Sequence, residues 1–415
     1  MTRKRYAIVG TGSRAGMFSS ALCKDFKDHG ELVALCDSNP TRMQYHMRML
    51  QEKHGLDHDL PCYSAEQFTA MLQTERVDTV IVTTIDRCHH RYICAAMEAG
   101  CDAISEKPMT VDAEKCQEIL DTIERTGRQL RVTFNYRYAP RNTRVKELLR
   151  EGVIGEVKSV HFEWLLNTKH GADYFRRWHR DKRNSGGLMV HKATHHFDLV
   201  NWWLDSAPRS VYALGDLAFY GRDNAEARGV TRFYDRATGN PNAADDPFAL
   251  DLTSKDHLRQ MYYEAEHHDG YRRDQSVFSD GISIEDDMGV LVRYRSGAQM
   301  TYHLTAYSPY EGYRIAFNGT KGRLEYEVEE NSYISGDDQD ANRPDVRDSS
   351  AYEVHEPARI LIRPHWGKPV QVNVDSSGGG HGGGDVRLLR DLFVGGDDDP
   401  LGLAADHIQG ARSIL

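Results

Sequence analysis

The sequence lacks any long hydrophobic run, and this absence excludes a membrane-spanning helix. A transmembrane helix needs about 20 consecutive apolar residues, and no apolar segment of the 415-residue chain approaches that length. The apolar stretch Tyr6–Gly10 follows a basic start, but it is too short for the core of a signal peptide and leads directly into a glycine turn. We therefore expect a cytoplasmic protein that does not bind membranes.

Cysteine is absent after residue 116, and the cysteines before it form no metal-binding or disulfide pattern. The seven are Cys23, Cys36, Cys62, Cys88, Cys94, Cys101 and Cys116. No pair has Cys-x-x-Cys spacing and the count is odd, which argues against a structural zinc site and against a disulfide framework. We expect free thiols in a reducing compartment.

Positive charge is in deficit. The chain has 52 Lys and Arg against 62 Asp and Glu, a formal net charge of -10. Nucleic acids and membrane surfaces are themselves anionic, so this balance excludes both as general partners. Apolar residues make up 40% of the chain, enough for a core in each of two domains.

The pattern of apolar residues changes at about residue 133. Up to that point short β-branched runs alternate with helical segments, which predicts a parallel sheet built from βαβ units in a domain spanning 1–132. From 133 to 415 longer alternating runs favour an antiparallel sheet with one covered face. Residues 221–285 are polar and turn-rich, and we interpret them as an insertion or long loop.

A glycine turn follows the first predicted strand. Gly10 permits the tight turn, and Gly12 lets the backbone approach a pyrophosphate, with Ser13 and Arg14 opening the helix behind them. The N-terminus of that helix offers free N–H groups and a positive dipole end to phosphates. Gly16 comes one residue later than in the common spacing. The unit predicts a bound dinucleotide.

Asp37 ends the second predicted strand, where an acid can accept hydrogen bonds from both ribose hydroxyls and would repel a 2′-phosphate. That favours NAD. Ser38 and Arg42 leave NADP open, since Arg42 could cover a phosphate, and Asp37 could instead only cap the next turn.

Glu106-Lys107-Pro108 follows another strand of the same domain. Ligands of open α/β sheets bind at the carboxyl ends of the strands. Lys107 could therefore position a substrate hydroxyl or help to move its proton.

The segment from Ser185 to Asp198 combines glycines with histidines. On one helix His191, His195 and Asp198 would share a face. A histidine there can take a hydroxyl proton while hydride leaves the same carbon. Two alternatives stay open: a metal site, although no third ligand is evident, and histidines that only pack a helix face.

A basic and aromatic stretch precedes this segment, with Tyr174, Arg177, Trp178 and His179. It could be a solvated run of charge. It could also clamp a carboxylate, phosphate or sulfonate on a substrate, with Tyr174 and Trp178 stacking on a sugar ring.

These motifs together resemble the Gfo/Idh/MocA family of glucose-fructose oxidoreductase and inositol dehydrogenase. The further matching segments are Thr84-Ile-Asp-Arg-Cys-His89, Glu98 through Pro108, Asn135-Tyr-Arg137-Tyr-Ala-Pro140 and Gly152-Val-Ile-Gly155. The resemblance implies an α/β protein with an N-terminal Rossmann dinucleotide-binding domain. A C-terminal α/β domain with a large, mainly antiparallel open sheet would follow it, with the substrate between the nicotinamide and that sheet.

The resemblance also implies roles for residues at matching positions. The family's catalytic lysine matches Lys107 and its catalytic histidine matches His195, while the family's inner aspartate is His191 here. Lys192 adds positive charge beside it, and both changes suit an anionic substrate or a different proton path. The remaining implied contacts are Thr84, His89, Glu106 and Asn135 toward the cofactor, and Tyr136, Arg137, Lys192 and His381 toward the substrate.

The leading hypothesis is reversible hydride transfer between NAD and a secondary hydroxyl of a sugar or sugar derivative, which could be anionic. His195 would act as the general base, and Lys107 would polarise the hydroxyl oxygen. The second is an NAD-dependent glycosidase that oxidises C3 transiently, eliminates the aglycone, adds water and reduces C3 again, for example on uronic glycosides or sulfoquinovosides. A non-catalytic NAD-binding regulator is a third. We also expect a homo-oligomer formed through the C-terminal sheet, and no metal.

Overall fold

Six short strands in the first third of the chain form one parallel sheet. The computed structural model describes residues 3–331, 333–334, 358–374, 380–396 and 398–415. The strands are β1 (Lys4–Val9), β2 (Gly30–Asp37), β3 (Cys62–Ser64), β4 (Thr79–Val82), β5 (Asp102–Ser105) and β6 (Leu130–Val132). Their order β3-β2-β1-β4-β5-β6 is that of a Rossmann fold. The predicted N-terminal dinucleotide-binding fold is confirmed.

Helices cover both faces of this sheet, as right-handed crossovers between parallel strands require. They are α1 (Ala15–Cys23), α2 (Pro40–His54), α3 (Phe68–Thr74), α4 (His89–Glu98) and α5 (Ala113–Thr126). Local signals explain their bounds. Asn39 caps α2 by accepting from the N–H groups of Thr41 and Arg42, and Gly55 ends it with a positive φ of 73°.

A second sheet of eight strands follows. Its strands are β7 (Val157–Asn167), β8 (Pro208–Asp216), β9 (Asp287–Tyr294), β10 (Gln299–Ser308), β11 (Glu311–Gly319), β12 (Gly322–Asn331), β13 (Arg359–Pro364) and β14 (Val370–Val372). The order is β14-β13-β12-β11-β7-β10-β9-β8. Neighbours run antiparallel except for β7 and β10, which are parallel. The predicted, mainly antiparallel sheet is confirmed.

One face of the second sheet is covered by helices and the other is open. The helices of this part of the chain are α6 (Pro140–Arg150), α7 (Thr168–Arg176), α8 (Lys182–Ser185), α9 (Leu188–His191), α10 (Thr194–Trp203), α11 (Arg222–Ala227), α12 (Asp256–Leu258), α13 (Glu266–Asp269), α14 (Gly384–Phe393) and α15 (His407–Ile414). Exposed apolar side chains on β8 and β9 include Tyr212 at 62% and Leu214 at 65%. The oligomer through this sheet stays a prediction.

The end of the chain packs back on the first domain. Phe393 of α14 meets Tyr6 edge-on with ring centroids 5.2 Å apart, and Ala411 of α15 joins the core beneath α4 and α5. The Val132 N–H donates to the Ala405 carbonyl at 3.0 Å. The predicted boundary at 132/133 therefore separates the two sheets, whereas the last segment of 133–415 completes the core of the first domain.

Residues 221–285 form short helices and turns that return to the first domain. Leu250, Leu252, Leu258 and Met261 make a small core of their own, and Tyr45 of α2 packs against it. The segment is thus an ordered insertion rather than a long loop.

Two features are absent from the described ranges. No helix in them is long and apolar enough to cross a membrane. No three His, Cys, Asp or Glu side chains of the described ranges come together in a way that could hold a metal ion.

Arg137 and Asp198 form a buried ion pair between the turn after β6 and α10. Their side chains are 1% and 2% exposed, with N···O distances of 2.5 and 2.7 Å. We expect Asp198→Asn to lower the free energy of unfolding by about 3–5 kcal/mol, because it leaves a buried guanidinium without its counter-charge. Urea denaturation measures the loss. Glu147→Gln, in the half-exposed Arg144–Glu147 pair, is the control at about 1 kcal/mol or less. Equal losses in both variants would contradict this prediction.

Candidate active site

The glycine turn lies where β1 meets the loop after β4. Gly10 has a φ of 90°, and a Cβ on it would lie 2.6 Å from the backbone N of Thr84, so only glycine fits there. A Cβ on Gly12 would meet nothing within 4 Å, because that residue faces open space. No side chain caps the first turn of α1. The N–H groups of Ala15, Gly16 and Met17 donate to the carbonyls of Gly12, Ser13 and Arg14 at 3.1–3.3 Å. Among the described residues, the N–H groups of Gly12, Ser13 and Arg14 are those left available to phosphate oxygens.

Asp37 lies at the carboxyl end of β2, beside the glycine turn. Its Oδ2 accepts from the N–H and the hydroxyl of Thr11 at 2.5 and 2.9 Å, and its Oδ1 accepts from the Asn39 N–H at 2.8 Å. These bonds fix a carboxylate on the cleft wall. Its negative charge suits the two ribose hydroxyls of NAD and opposes a 2′-phosphate.

The insertion pairs with one end of the Arg42 guanidinium, whereas its Nε and Nη2 have no hydrogen-bond partner among the described residues. Its Nη1 donates to Asp269 at 2.6 Å, and its guanidinium lies 5.6 Å from the ring centroid of Tyr271. Asn39 also donates to Asp269, at 3.0 Å. The one cation near Asp37 that kept NADP open is thus paired with a carboxylate of the second domain.

A cleft of about 1480 Å³ runs from Asp37 past the glycine turn to the second sheet. Single small-ligand pockets commonly measure about 300–1,000 Å³, so this cleft has room for a dinucleotide and a second molecule. Of the residues predicted from the sequence, those that line it are Gly10, Gly12, Ser13, Arg14, Asp37, Arg42, Thr84, His89, Glu106, Lys107, Asn135, Tyr136, Tyr174, Arg177, Trp178, His179, His191, Lys192 and His195.

Lys107 follows β5 and points across the cleft toward the second domain. Its ammonium group donates to the carbonyl oxygen of His191 at 3.1 Å. Burial lowers the pKa of Lys107 to about 8, although the charges of Asp86 and Glu106 oppose the shift. The side chain is therefore a donor that can lose its charge in an accessible pH range.

A chain of polar contacts behind Lys107 links three parts of the protein. Arg14 pairs with Glu106 at 2.6 Å and with Asp385 at 3.5 Å, and Asn135 donates to Asp385 at 2.6 Å. The glycine turn, the turn that carries Lys107 and helix α14 are thus held in one arrangement. Arg14 and Glu106, predicted as cofactor contacts, are tied to each other in this network.

His191 and Asp86 form a pair across the two domains. Asp86 lies in the loop after β4, and its Oδ2 is 2.5 Å from Nδ1 of His191. Burial lowers the pKa of His191 well below its usual value, helped by the charges of Lys107 and Arg177. Burial raises the pKa of Asp86. The charge of Lys107 opposes the rise in the pKa of Asp86.

His195 lies on a different helix from His191. The prediction of one helical face for His191, His195 and Asp198 is wrong, because α9 ends at His191 and α10 begins at Thr194. The His195 ring stacks on Tyr136, with centroids 4.4 Å apart and planes at 13°. Both rings line the same end of the cleft as Lys107.

Lys192 and His196 both lie against Trp164, but of the two only Lys192 lines the cleft. The Lys192 ammonium lies 4.8 Å from the ring centroid of Trp164 and lines the cleft, and burial lowers its pKa. The His196 ring stacks on Trp164, with ring centroids 4.0 Å apart, and its Nδ1 forms a hydrogen bond with the Tyr302 hydroxyl at 2.7 Å. His196 is therefore a packed core residue.

The basic and aromatic stretch is part of the cleft wall rather than a solvated run. Trp178 stacks on His179 with centroids 3.6 Å apart, and His179 meets His191 edge-on at 4.2 Å. Tyr174 lies 5.5 Å from His191. The Arg177 guanidinium lies 5.8 Å from the Tyr174 ring centroid.

Three residues predicted to contact the cofactor or the substrate either make other contacts or have side chains outside the described part of the chain. The ring nitrogens of His89 lie 2.8 Å from the Pro108 carbonyl and 3.1 Å from the Thr84 carbonyl, so His89 ties the loop of Thr84 to the turn of Lys107. Arg137 does not line the cleft and faces Asp198, so we give it no substrate contact. His381 lies in the turn Gly380–Gly383, and its side chain is outside the described part of the chain.

Two residues of the site were missed. Asp86 carried a signal, because it follows a parallel strand at the edge where ligands bind. Arg273 lines the cleft from the end of the insertion. Nothing local in the sequence distinguishes Arg273 from a surface arginine.

Comparison with known proteins decides the family. Residues 4–134 match the oxidoreductase family with an NAD-binding Rossmann fold, and residues 146–359 match that family's C-terminal alpha/beta domain. The chain belongs to the Gfo/Idh/MocA family. This is a family of NAD-dependent sugar oxidoreductases with sugar dehydrogenases and glycosidase-like proteins among the relatives of this chain.

The relatives of this Gfo/Idh/MocA protein differ in how much of it they match. YteT of Bacillus subtilis (strain 168), which is named as an oxidoreductase without a substrate, is 34% identical over 99% of this chain and 94% of its own length. D-glucoside 3-dehydrogenase of Escherichia coli is 33% identical over 37% of this chain and 41% of its own. A glycosyl hydrolase family 109 protein of Akkermansia muciniphila is 25% identical over 46% and 41%.

A solved structure of the WlbA dehydrogenase from Bordetella pertussis, in complex with NADH and UDP-GlcNAcA, shares the fold. It aligns with a TM-score of 0.61 at 18% identity, over all of this chain and 94% of that one.

The residues present fit NAD. The open space at Gly12 and the uncapped start of α1 suit a pyrophosphate, and the fixed Asp37 carboxylate suits a ribose that carries both hydroxyls. When bound, NAD supplies a hydride acceptor or donor.

We expect Asp37→Ala to weaken NAD binding about 10- to 100-fold and to weaken NADP binding less. The variant removes the acceptor for the ribose and the repulsion of a 2′-phosphate, and a hydrogen bond to a charged group is worth about 1.5–3 kcal/mol. Titration calorimetry with both dinucleotides measures the change. Glu31→Gln, on the same strand but paired with Arg5 at 3.3 Å, is the control. An unchanged ratio of NAD to NADP affinity in Asp37→Ala would contradict the assignment.

Proposed function

We propose that the protein transfers hydride between NAD and a secondary hydroxyl of a sugar or sugar derivative. The observation that carries the proposal is the convergence of Lys107, His191 and His195 at one end of a cleft whose other end holds Gly12 and Asp37. The printed name of the E. coli relative, a D-glucoside 3-dehydrogenase, supports a sugar as the substrate.

In this proposal Lys107 holds the reacting hydroxyl. Its ammonium already donates to the His191 carbonyl at 3.1 Å, and its further N–H donors can reach a substrate oxygen. A positive charge next to that oxygen stabilises the negative charge that develops as the proton leaves.

The Asp86–His191 pair is the proposed base. In its basic form the pair holds one proton, carried on Nδ1 and donated to the Asp86 carboxylate, which leaves Nε2 free to accept. After the transfer the pair holds two protons, and Asp86 stabilises the imidazolium. Burial and the charges of Lys107 and Arg177 lower the pKa of His191, so the second proton depends on the contact of that ring with the Asp86 carboxylate.

His195 has a different role in the proposal. The family resemblance implies that His195 is the general base. In this structure, however, His195 lies three residues after Lys192, and its ring stacks parallel to the ring of Tyr136. A ring packed in this way is well placed to bond a second hydroxyl of the sugar and so to fix which carbon faces the cofactor.

A second candidate function is a glycosidase that borrows NAD. The sugar is oxidised at C3, a base removes the C2 proton as the aglycone leaves, water adds, and C3 is reduced again. The observation in its favour is that the insertion contacts the Rossmann domain at the end of the cleft near Asp37, where the adenosine of NAD would lie. There Asp269 accepts from Arg42 and Asn39, and the Ala265 carbonyl accepts from Asn39 at 2.9 Å. Contacts of this kind would slow dissociation of NAD, which suits a cofactor that stays bound between turnovers.

The two functions separate in one experiment. The protein is incubated with p-nitrophenyl glycosides, and reduced cofactor and released nitrophenol are followed together. The dehydrogenase predicts NADH in proportion to the sugar consumed, without nitrophenol. The glycosidase predicts nitrophenol without net NADH. Lys107→Ala should abolish either reaction, and a fully active Lys107→Ala would contradict both.

The rate should depend on pH in a bell-shaped manner. We expect kcat/KM to fall as the pH rises through about 8, because Lys107 loses its proton there. On the acid side it should fall as the Asp86–His191 pair takes up its second proton. Steady-state kinetics between pH 5 and 10 measures both limbs.

Lys107→Arg is the diagnostic variant, since arginine stays charged throughout this range. Its remaining activity should lack the limb near pH 8, whereas Lys192→Arg should keep it. A limb near pH 8 that persists in Lys107→Arg would assign the titration to another group.

A further inference from the structure

Three arginines share one carboxylate in the wall of the cleft. Asp173 of α7 is 1% exposed, and it pairs with Arg177 at 2.8 Å, with Arg273 at 3.6 Å and with Arg176 at 3.7 Å. None of the three forms an ion pair with a second acid among the described residues. The cluster therefore carries a surplus of positive charge in a wall that is largely closed to water.

A buried surplus of this kind is costly unless an anion offsets it. Burying an unpaired charge costs several kcal/mol, and burial lowers the pKa of the Arg176 guanidinium. Arg176 satisfies one N–H on the Phe248 carbonyl at 2.8 Å. If the cluster had only a structural role, one arginine would be enough to balance the charge of Asp173.

Two of the three guanidiniums face the cleft. Arg177 and Arg273 line it and Arg176 does not. Arg273 is 3% exposed, and its Nε and Nη1 have no hydrogen-bond partner among the described residues. His179 also lines the cleft with its Nδ1 unbonded, and burial with the nearby charge of Arg177 lowers its pKa, so it is a neutral donor or acceptor.

The cluster is close to the reacting groups. The row of rings Trp178, His179 and His191 joins it to the Asp86–His191 pair, with centroid distances of 3.6 and 4.2 Å. The charge of Arg177 is felt by both members of that pair. An anion at the cluster would thus belong to a molecule whose other part reaches Lys107.

We propose that Arg177 and Arg273 form an anion subsite that binds an oxyanion group of the sugar, a carboxylate, sulfonate or phosphate. This rests on the proposed sugar site, and it narrows the substrate to acidic sugars or their glycosides. Guanidinium groups bind such oxyanions through paired N–H bonds. The pyrophosphate of the cofactor is the other possible source of an anion, and the test separates the two.

The test measures sugar binding by calorimetry to protein saturated with NADH, because the reduced cofactor cannot accept a hydride from the sugar and no turnover occurs. Glucuronate, glucose 6-phosphate and 6-deoxy-6-sulfoglucose are compared with glucose. At least one acidic sugar should bind about 10- to 100-fold more tightly than glucose, as expected for charge-assisted hydrogen bonds. Three acidic sugars that bind no better than glucose would overturn the proposal.

Arg177→Gln and Arg273→Gln should each remove about tenfold or more of that preference and leave glucose binding and the Kd for NAD unchanged. Arg176→Gln is the matched control, because it contacts the same carboxylate outside the cleft and should preserve the preference. A loss of NAD affinity with an intact preference would assign the arginines to the pyrophosphate and overturn the subsite. Since binding is read without NADH formation, the subsite can hold even if the proposed reaction fails.

Discussion

The contact between Asp86 and His191 joins the two domains at the point where the chemistry is proposed. One partner comes from the loop after β4 of the Rossmann sheet and the other from the end of α9, and 2.5 Å separates the carboxylate oxygen from the ring nitrogen. The cleft exists only between the two sheets, so its catalytic end depends on their relative position. Lys107 reinforces that position through the carbonyl of His191.

The same contact explains the departure from the family pattern. Where the family resemblance implies an aspartate, this chain has His191, and the carboxylate is supplied instead by Asp86 from the other domain. In the proposed mechanism the proton acceptor is therefore a two-residue unit. Burial raises the pKa of Asp86 and lowers that of His191, so the proton affinity of the ring depends on the carboxylate beside it.

Charge is distributed against the net balance of the chain. The protein carries a net charge of -10, yet three guanidiniums pair with the single carboxylate of Asp173, and two of them, Arg177 and Arg273, line the cleft. At the end of the cleft near Asp37 the reverse holds, since Arg42 is paired with Asp269 and Asp37 faces the cleft. This polarity suits an NAD ribose at one end and an acidic sugar at the other.

The fold and the cofactor end could be predicted from the sequence because their signals are local. Gly10, Gly12, Asp37 and Lys107 each follow a strand, and parallel strands bring their carboxyl ends to one edge. The partners that meet across the domains could not be predicted in this way. Asp86 meets His191, and Arg273 meets Asp173, only after both domains have folded. Arg137 is the opposite case. The motif around it predicted a substrate contact, but its side chain forms a buried ion pair with Asp198.

The most direct test of the account is chemical rescue of the proposed base. His191→Ala should lose most of the hydride-transfer rate in a single turnover, and added imidazole should restore part of it, with a pH dependence set by free imidazole. His195→Ala should not be rescued in this way. Rescue of His195→Ala but not of His191→Ala would contradict the account and return the base to His195.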